Sequence, residues 1–411
     1  MAIIRPYDAE RDQDAIIRVW REVHWITSDE QAKWAPQFME KARTDVAEVN
    51  GEAECQASST DGTFRYLEED LTMSAIVGVT TSRIARKQRL AQRVTAHRIA
   101  QDAANGVEIC TLTMFEQGFY DLMGFGTGPY GHRVRFDPAD LTIDRPFRVP
   151  RRLKADDWKM IHAAMINRRL THGGCRLYPA ELLQVELNHA EKSFLLGYCD
   201  GPGGELTHFF WASDHEEHGP SYVYMMAYQD HDQFLELLAL MRSLGDQIRL
   251  FQMVEPPDVQ LQDLIKQPFR ARMVSEKGSF NTLIRGDGYW QARICDLEAC
   301  MAKTRLDGPT ARFNLVLTDP IEKYLDGDAP WRGLSGEYVV TLGLESSAGP
   351  GADPALPTLT ASVGAFTRMW LGVRPATGLA VTDDLDGPPE LLSALDRTLR
   401  LPVPGLCGWE Y

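Results

Sequence analysis

One stretch of the chain, residues 76–131, constrains the fold more than any other. Small apolar and polar residues alternate over residues 75–81, which predicts a β-strand. Residues 83–89 then hold four cations among seven positions. A helical pattern follows and stops near Gly106, where a left-handed helix cap is expected. The apolar run 109–115 predicts a second strand, so the order is strand, basic turn, helix, strand.

The basic turn lies at the start of the predicted helix. Such a position offers free backbone N–H groups, the positive end of the helix dipole and cationic side chains together. This combination indicates an anion site, and most often a phosphate site. The alternative is a solvated basic loop, which the turn alone does not exclude.

The segment FEQGFYDLMGFG places Tyr120 on a short helix after the second strand. With this segment the chain resembles the GNAT N-acetyltransferases, and more closely the enhanced intracellular survival (Eis) family. That family carries V-x-V-x-P-x-x-R-R-R-G-L-L-R and then S-E-G-G-I-Y-x-R-F-G-Y-G. This chain has VTTSRIARKQRLAQ and FEQGFYDLMGFG in the same register. It departs at Arg89, where the family has the loop glycine, and at Phe115, where the family has serine; a helical φ at position 89 would still tolerate a side chain.

The resemblance implies acetyl-CoA as co-substrate and Tyr120 as the general acid that protonates the leaving sulfur. A phenol, whose pKa is about 10, is protonated at neutral pH and suits that role. The alternative for Tyr120 is a core tyrosine with its hydroxyl satisfied. The implied coenzyme-binding residues, matched position by position, are Val79, Thr80, Thr81, Lys87, Gln88, Arg89, Leu90, Ala91, Gln92, Phe115 and Glu116.

The last two residues also match the family, which ends in an acid followed by an aromatic residue. The resemblance implies that the α-carboxylate of Tyr411 is the base and that Glu410 binds the substrate. A frayed terminus is the alternative. Trp25 is a further candidate for the substrate cleft, with an ordinary core position as its alternative.

The composition of the chain limits the classes of molecule that it is expected to bind. The net charge of -15 argues against nucleic acid and suits a cationic amine, although it could serve solubility alone. No apolar run is long enough for a membrane span, and the N-terminus lacks a signal peptide. The seven cysteines are scattered, which predicts reduced thiols and a cytoplasmic protein. Asp214, His215 and His218 fall in a predicted turn and are interpreted as surface residues, so no metal is expected.

The predicted fold class is α/β, with two tandem GNAT-like mixed-sheet domains followed by a sterol-carrier-like α/β domain. The predicted boundaries are 1–148 for the coenzyme-binding domain, 149–290 for a degenerate copy without a basic turn, and 291–411 for the last domain. The segment STDG, residues 59–62, is expected to be a turn, and SSAGPGADPALP, residues 346–357, a mobile loop. The family forms hexamers, which implies a homo-oligomer here.

Two functions of different classes remain open at this point. The first is an acetyl-CoA-dependent N-acetyltransferase that acts on an aminoglycoside-like or lysine-type amine. The second is a binding protein that has lost turnover and uses its last domain for a lipid or a protein. Release of free thiol from acetyl-CoA in the presence of amines would separate them.

Overall fold

The computed structural model describes residues 2–114, 116–190, 192–214, 216–266, 268 and 283–405. Contacts group these residues into two compact units. The first unit contains residues 2–129 and 289–404, and the second contains residues 130–288 and Gly405. Each unit is described by itself below.

The helices and strands are numbered in chain order. The strands are β1 Ile3–Pro6, β2 Arg43–Val49, β3 Glu52–Tyr66, β4 Glu69–Thr81, β5 Ile109–Thr113, β6 Gly126–Thr127, β7 Gly131–Phe136, β8 Arg151–Leu153, β9 Cys175–Leu177, β10 Ser193–Tyr198, β11 His208–Asp214, β12 Ser221–Ala227, β13 Phe251–Val254, β14 Leu283–Asp287, β15 Trp290–Ile294, β16 Ala311–Thr318, β17 Gly336–Leu342, β18 Ser347–Pro350, β19 Thr358–Ser362 and β20 Leu385–Asp386. The α-helices are α1 Ala9–Glu22, α2 Asp29–Ala32, α3 Ala35–Lys41, α4 Leu90–Ala104, α5 Trp158–Asn167, α6 Ala180–His189, α7 His231–Ser243, α8 Leu297–Ala302, α9 Val363–Trp370, α10 Ala376–Thr382 and α11 Pro389–Thr398.

The first sheet has the strand order β1-β2-β3-β4-β5-β15-β6. Strands β1 to β4 are antiparallel neighbours, whereas β4 and β5 run parallel. The parallel pair is joined by α4, because a parallel connection requires a crossover. This confirms the predicted order of strand, basic turn, helix and strand, and Gly106 after α4 has the expected left-handed φ of 87°.

The turn predicted at residues 59–62 is wrong. These residues lie inside β3, where Asp61 pairs with Ser74 of β4 and its carboxylate pairs with Arg43. The chain reverses instead at Leu67, whose φ is 51°. Local turn propensity is overridden here because the neighbouring strands bury residues such as Thr60 on both sides.

The second sheet has the order β14-β7-β13-β12-β11-β10-β8. Strands β10, β11 and β12 are consecutive antiparallel neighbours, as predicted, and α7 leads into the buried strand β13. Strand β7, which the sequence placed in the first domain, pairs with β13 and β14 of this sheet. Its alternating pattern predicts a strand but carries no signal for its partner.

The third sheet, β18-β17-β16-β19-β20, belongs to the first compact unit. Tyr66 of β3 stacks on Trp370 of α9, with ring centroids 4.2 Å apart. The segment predicted as a mobile loop contains β18, which pairs with β17, so that prediction is wrong for residues 347–350. Backbone pairing to β17 orders a sequence whose composition is typical of loops. Among the described helices, none is both long and apolar enough to traverse a bilayer.

Candidate functional site

A gap opens in the first sheet between β4 and β5. Their parallel pairing ends at Ile76 and Leu112, although β4 continues to Thr81 and stays paired with β3. In the described part of the chain, therefore, no strand pairs with the β5-facing edge of β4 over residues 77–81. A free strand edge presents backbone N–H and C=O groups to whatever enters the gap.

The loop after β4 leads to an uncapped helix start. No side chain caps the N-terminus of α4, and its first turn carries no acidic residue. The first N–H groups of the helix are therefore available to an anion. Lys87 and Arg89 have left-handed backbones, with φ of 61° and 59°. The φ of Arg89 is left-handed rather than helical, because this residue is the N-cap and reverses the chain into α4.

A buried polar network holds α4 against the sheet. Asp102 accepts hydrogen bonds from Ser59 and Ser74, each at 2.6 Å, and pairs with Arg98 at 3.0 Å. Arg98 in turn contacts Asp45 of β2 at 3.0 Å. These bonds join the helix to β2, β3 and β4, so they fix where its N-terminus points.

The gap, the loop and the helix start border one cavity of about 580 Å³. The residues that line it are Val23, Trp25, Val79, Thr80, Thr81, Ala85, Arg86, Lys87, Arg89, Leu90, Ala91, Gln92, Glu116, Phe119 and Tyr120. Most of the site residues predicted from the sequence are thus brought together. Gln88 is not among them, because its side chain donates back to the carbonyl of Ile84 at 3.1 Å. Phe115, Glu410 and Tyr411 lie outside the described residues.

The mouth of the cavity is cationic. Arg86, Lys87 and Arg89 are exposed, and none forms an ion pair with a carboxylate in the described part of the chain. Arg93, one turn further along α4, is by contrast paired with Asp326 at 3.1 Å. Three cations without an ion-pair partner in the described part of the chain lie beside free helix N–H groups. This combination suits a polyanion such as a pyrophosphate.

Tyr120 borders the inner part of the cavity. It is buried and packs edge-on against Phe119 and Phe125, with ring centroids 4.8 and 6.0 Å away. Burial raises the pKa of its phenol to about 12. Among the described residues no group hydrogen-bonds its hydroxyl, so the proton remains available to a molecule in the cavity. The residue predicted as general acid is therefore neutral at physiological pH.

Strand β15 supports the Tyr120 turn, which the sequence did not reveal. Gln291 donates to Asp121 at 2.5 Å, and Arg293 donates to the carbonyl of Met123. Arg293 also forms a fully buried ion pair with Asp319 at 2.6 Å. Because β15 lies 170 residues beyond this turn, local patterns could not identify the contact. Phe119 and Arg86 were missed as lining residues, although both are adjacent to predicted ones.

The proposed absence of a metal remains a prediction. Asp214 accepts a hydrogen bond from Ser221, and His218 faces the carbonyl of Gln247 at 3.3 Å. His215 lies outside the described residues. Asp200, His208 and Glu236 do approach one another closely, but Arg148 already pairs with both carboxylates. Neutralised carboxylates attract a cation weakly, so we assign no metal to this cluster.

Comparison with known proteins identifies the part of the chain that carries the cavity. Residues 4–128 match the family model described as the acetyltransferase (GNAT) domain. This match confirms the predicted GNAT domain and, with it, the acyltransferase class. No curated protein matches the sequence.

Several solved structures share the fold over the whole chain. A probable N-acyltransferase from Enterococcus faecalis V583 is 16% identical, with 100% of each chain covered and a TM-score of 0.79. Eis1 from Mycobacterium abscessus is 15% identical, with 100% of each chain covered and a TM-score of 0.75. A GCN5-related N-acetyltransferase from Kribbella flavida is 17% identical, covers 98% and 97% of the two chains, and has a TM-score of 0.72. The predicted α/β fold with tandem GNAT-like sheets is thereby confirmed, whereas the sterol-carrier-like identity of the third sheet stays a prediction.

Proposed function

We propose that this chain transfers an acetyl group from acetyl-CoA to a primary amine, with the first sheet and α4 as the coenzyme site. The observation that carries the proposal is the single cavity that joins the free edge of β4, the uncapped start of α4 and the Tyr120 hydroxyl. A thioester donor needs an anchor for its pyrophosphate, a partner for its extended arm and an acid for its sulfur. The lining residues supply one candidate for each requirement.

The pyrophosphate would lie on the N–H groups of residues 90–92, with Arg86 and Lys87 adding charge at the mouth. The free edge of Val79, Thr80 and Thr81 would pair with the amides of the coenzyme arm. Backbone N–H groups on this edge would also stabilise the oxyanion of the tetrahedral intermediate. Phe115 and Glu116 are further proposed coenzyme contacts.

In the chemical step, the amine attacks the thioester carbonyl and the carbon–sulfur bond breaks. The Tyr120 hydroxyl would give its proton to the departing thiolate, since its raised pKa keeps it protonated. The proposed base is the α-carboxylate of Tyr411, with Glu410 and Trp25 contacting the acceptor. The acceptor class proposed from the resemblance is an aminoglycoside-like or lysine-type amine. We further propose that the protein forms a homo-oligomer and lies in the cytoplasm.

A calorimetric titration with coenzyme A tests the binding part of this proposal. We expect one site per chain, because residues 223–244 of the second unit contain no basic turn of this kind. Reversing the charges with Arg86→Glu and Lys87→Glu should weaken binding, and more strongly at low salt because exposed charges are screened. Reversing Arg400, an exposed cation that has no ion pair among the described residues and does not line the cavity, is the matched control. Binding that survives the double reversal would place the coenzyme elsewhere.

Extension of the C-terminus tests the proposed base. A peptide bond would replace the Tyr411 carboxylate by a neutral amide that takes no proton at neutral pH. A C-terminal tag should therefore suppress acetylation, whereas an N-terminal tag and Tyr411→Phe should retain it. The proposal for this base fails if a folded, C-terminally extended protein acetylates amines at the native rate.

A further inference from the structure

Four polar side chains form a buried row on one face of the first sheet. Glu54 and Gln56 lie on β3, Thr80 lies at the end of β4, and Ser82 follows it. Each is at least nine-tenths buried. One carboxylate oxygen of Glu54, both amide atoms of Gln56 and the hydroxyls of Thr80 and Ser82 have no hydrogen-bond partner within the described residues.

This arrangement is costly for a folded protein. A buried donor or acceptor without a partner destabilises the fold, because it has lost its hydrogen bonds to water and gained none in the protein. On the same strands Ser58 bonds Thr44 at 2.7 Å and Thr81 bonds Cys55 at 3.2 Å, whereas Thr60 and Thr63 also lack a partner but do not line the cavity. A row of unsatisfied groups next to a cavity is therefore better explained by a ligand than by packing.

The row adjoins the cavity through Thr80 and Trp25. Thr80 lines the cavity, and its Cα pairs directly with that of Gln56, so their side chains are neighbours on one face. A Cβ placed on Gly78 would lie 3.5 Å from Trp25 Cζ3 and 3.6 Å from Gln56 Nε2. Trp25 is 41% exposed and also lines the cavity. Displacement of its indole would open a path from the cavity to the Gln56 amide.

We infer that Gln56 and Thr80 select an acceptor amine whose body carries a carboxamide. Gln56 leaves both a donor and an acceptor free, so its ligand must accept and donate at once. A carboxylate only accepts and an ammonium only donates, which excludes both as the matching group. A carboxamide pairs with both atoms of the Gln56 amide, and the Thr80 hydroxyl adds a third bond. With the indole of Trp25 displaced, Phe38, whose ring lies 3.8 Å from the same point above Gly78, would cover one face of the carboxamide.

This inference rests on the proposed acetyl transfer, and a panel of matched amines tests the two separately. β-Alaninamide carries the carboxamide, and isoamylamine has nearly the same shape without it. β-Alanine and 1,3-diaminopropane carry a carboxylate and an ammonium at the same distance. Each is titrated calorimetrically into protein saturated with coenzyme A, and each is assayed for acetylation by release of free thiol.

The wild-type protein should bind β-alaninamide at least about tenfold more tightly than the other three amines, because they leave buried polar groups unpaired. Gln56→Leu should abolish this preference and raise the melting temperature, since it removes two unsatisfied atoms. If Gln56 had only a structural role, Gln56→Leu would instead lower the melting temperature. Thr80→Val should reduce the preference, whereas Thr60→Val should leave it unchanged. Thr60 is the matched control, a buried and unpartnered β3 hydroxyl that does not line the cavity.

Equal affinity for β-alaninamide and isoamylamine would overturn the inference, and so would a folded Gln56→Leu protein that keeps the preference. Failure to acetylate any amine would instead contradict the proposed function. The binding titrations still decide the selectivity in that case, so the two failures are distinguishable.

Discussion

At the scale of single residues, Tyr120 combines three properties that a general acid needs. It borders the cavity, its hydroxyl has no hydrogen-bond partner in the described residues, and burial raises its pKa to about 12. A core tyrosine would also be buried, but its hydroxyl would be expected to bond a neighbouring group. Its exposure to the cavity therefore favours a chemical role.

Tyr120→Phe should reduce kcat by on the order of 10²–10⁴-fold and leave coenzyme A affinity unchanged. The substitution removes the proton donor but keeps the ring packing against Phe119 and Phe125. Steady-state rates and calorimetric titration measure the two quantities. Because the pKa of Tyr120 lies far above neutrality, the wild-type rate should show no loss from its ionisation between pH 7 and 9. An unchanged kcat in the variant would identify Tyr120 as a core residue only.

Arg89 is a strained residue at the entrance of α4. An L-residue with a side chain in the left-handed region costs about 1 kcal/mol relative to glycine. Arg89→Gly should therefore be more stable than Arg89→Ala by about 1 kcal/mol, although both remove the same charge. Urea unfolding of the two variants gives this difference directly. Equal stability would show that the φ of 59° is not maintained in solution.

At the scale of elements, β15 links the Tyr120 turn to the third sheet of the same compact unit. Arg293 of β15 bonds the turn through the Met123 carbonyl and pairs with Asp319, and neither side chain of the pair is exposed. Removal of one partner leaves a buried charge without compensation. The strand therefore does more than complete the sheet, because it positions a candidate catalytic residue.

Arg293→Met should destabilise the protein by about 3–5 kcal/mol, since it leaves Asp319 as an unpaired buried carboxylate. Adding Asp319→Asn should recover part of this loss, because the amide is neutral and its oxygen can still accept from the Leu334 N–H. Unfolding free energies of the two single variants and the double variant form the cycle. Strict additivity would show that the two residues do not interact in solution.

The elements differ in how far the sequence predicts them. The order from β4 to β5 follows from local patterns, whereas the gathering of the basic turn with Tyr120 was predicted from the family resemblance. The turn expected at residues 59–62 was wrong because strand pairing over the length of β3 outweighs a local preference. The partners of β7 and β15 were missed because pairing between distant strands leaves no local signal. The left-handed φ of Arg89 has no signal in the sequence, because arginine, unlike glycine, does not favour that region.

At the scale of the whole molecule, buried histidines couple stability to pH. Desolvation lowers the pKa of His162 and of His208 below the ordinary value of about 6.5. His208 contacts Thr207 and Glu236, with Asp200 and Arg148 nearby, whereas His162 faces the carbonyl of Leu177 at 2.9 Å. The unfolded chain therefore binds protons below about pH 6.5 that the folded chain does not.

The urea midpoint should consequently be nearly constant above pH 7 and fall as the pH is lowered from about 6.5 to 5. The sign follows because protonation favours the state with the higher histidine pKa, which is the unfolded one. His162→Gln keeps a donor for the Leu177 carbonyl and should make the fall shallower. A midpoint that rises on acidification would contradict the assignment.

The function proposed for the cavity of the first unit is acetyl transfer to an amine. The most direct test incubates the native-ended protein with acetyl-CoA and the amine panel, measures free thiol and identifies the products by mass spectrometry. We expect one acetylated amine for each thiol released, and a large loss of both the acetylated amine and the free thiol in Tyr120→Phe. A folded protein that binds coenzyme A at one site per chain but acetylates no amine would contradict it and favour a binding protein without turnover.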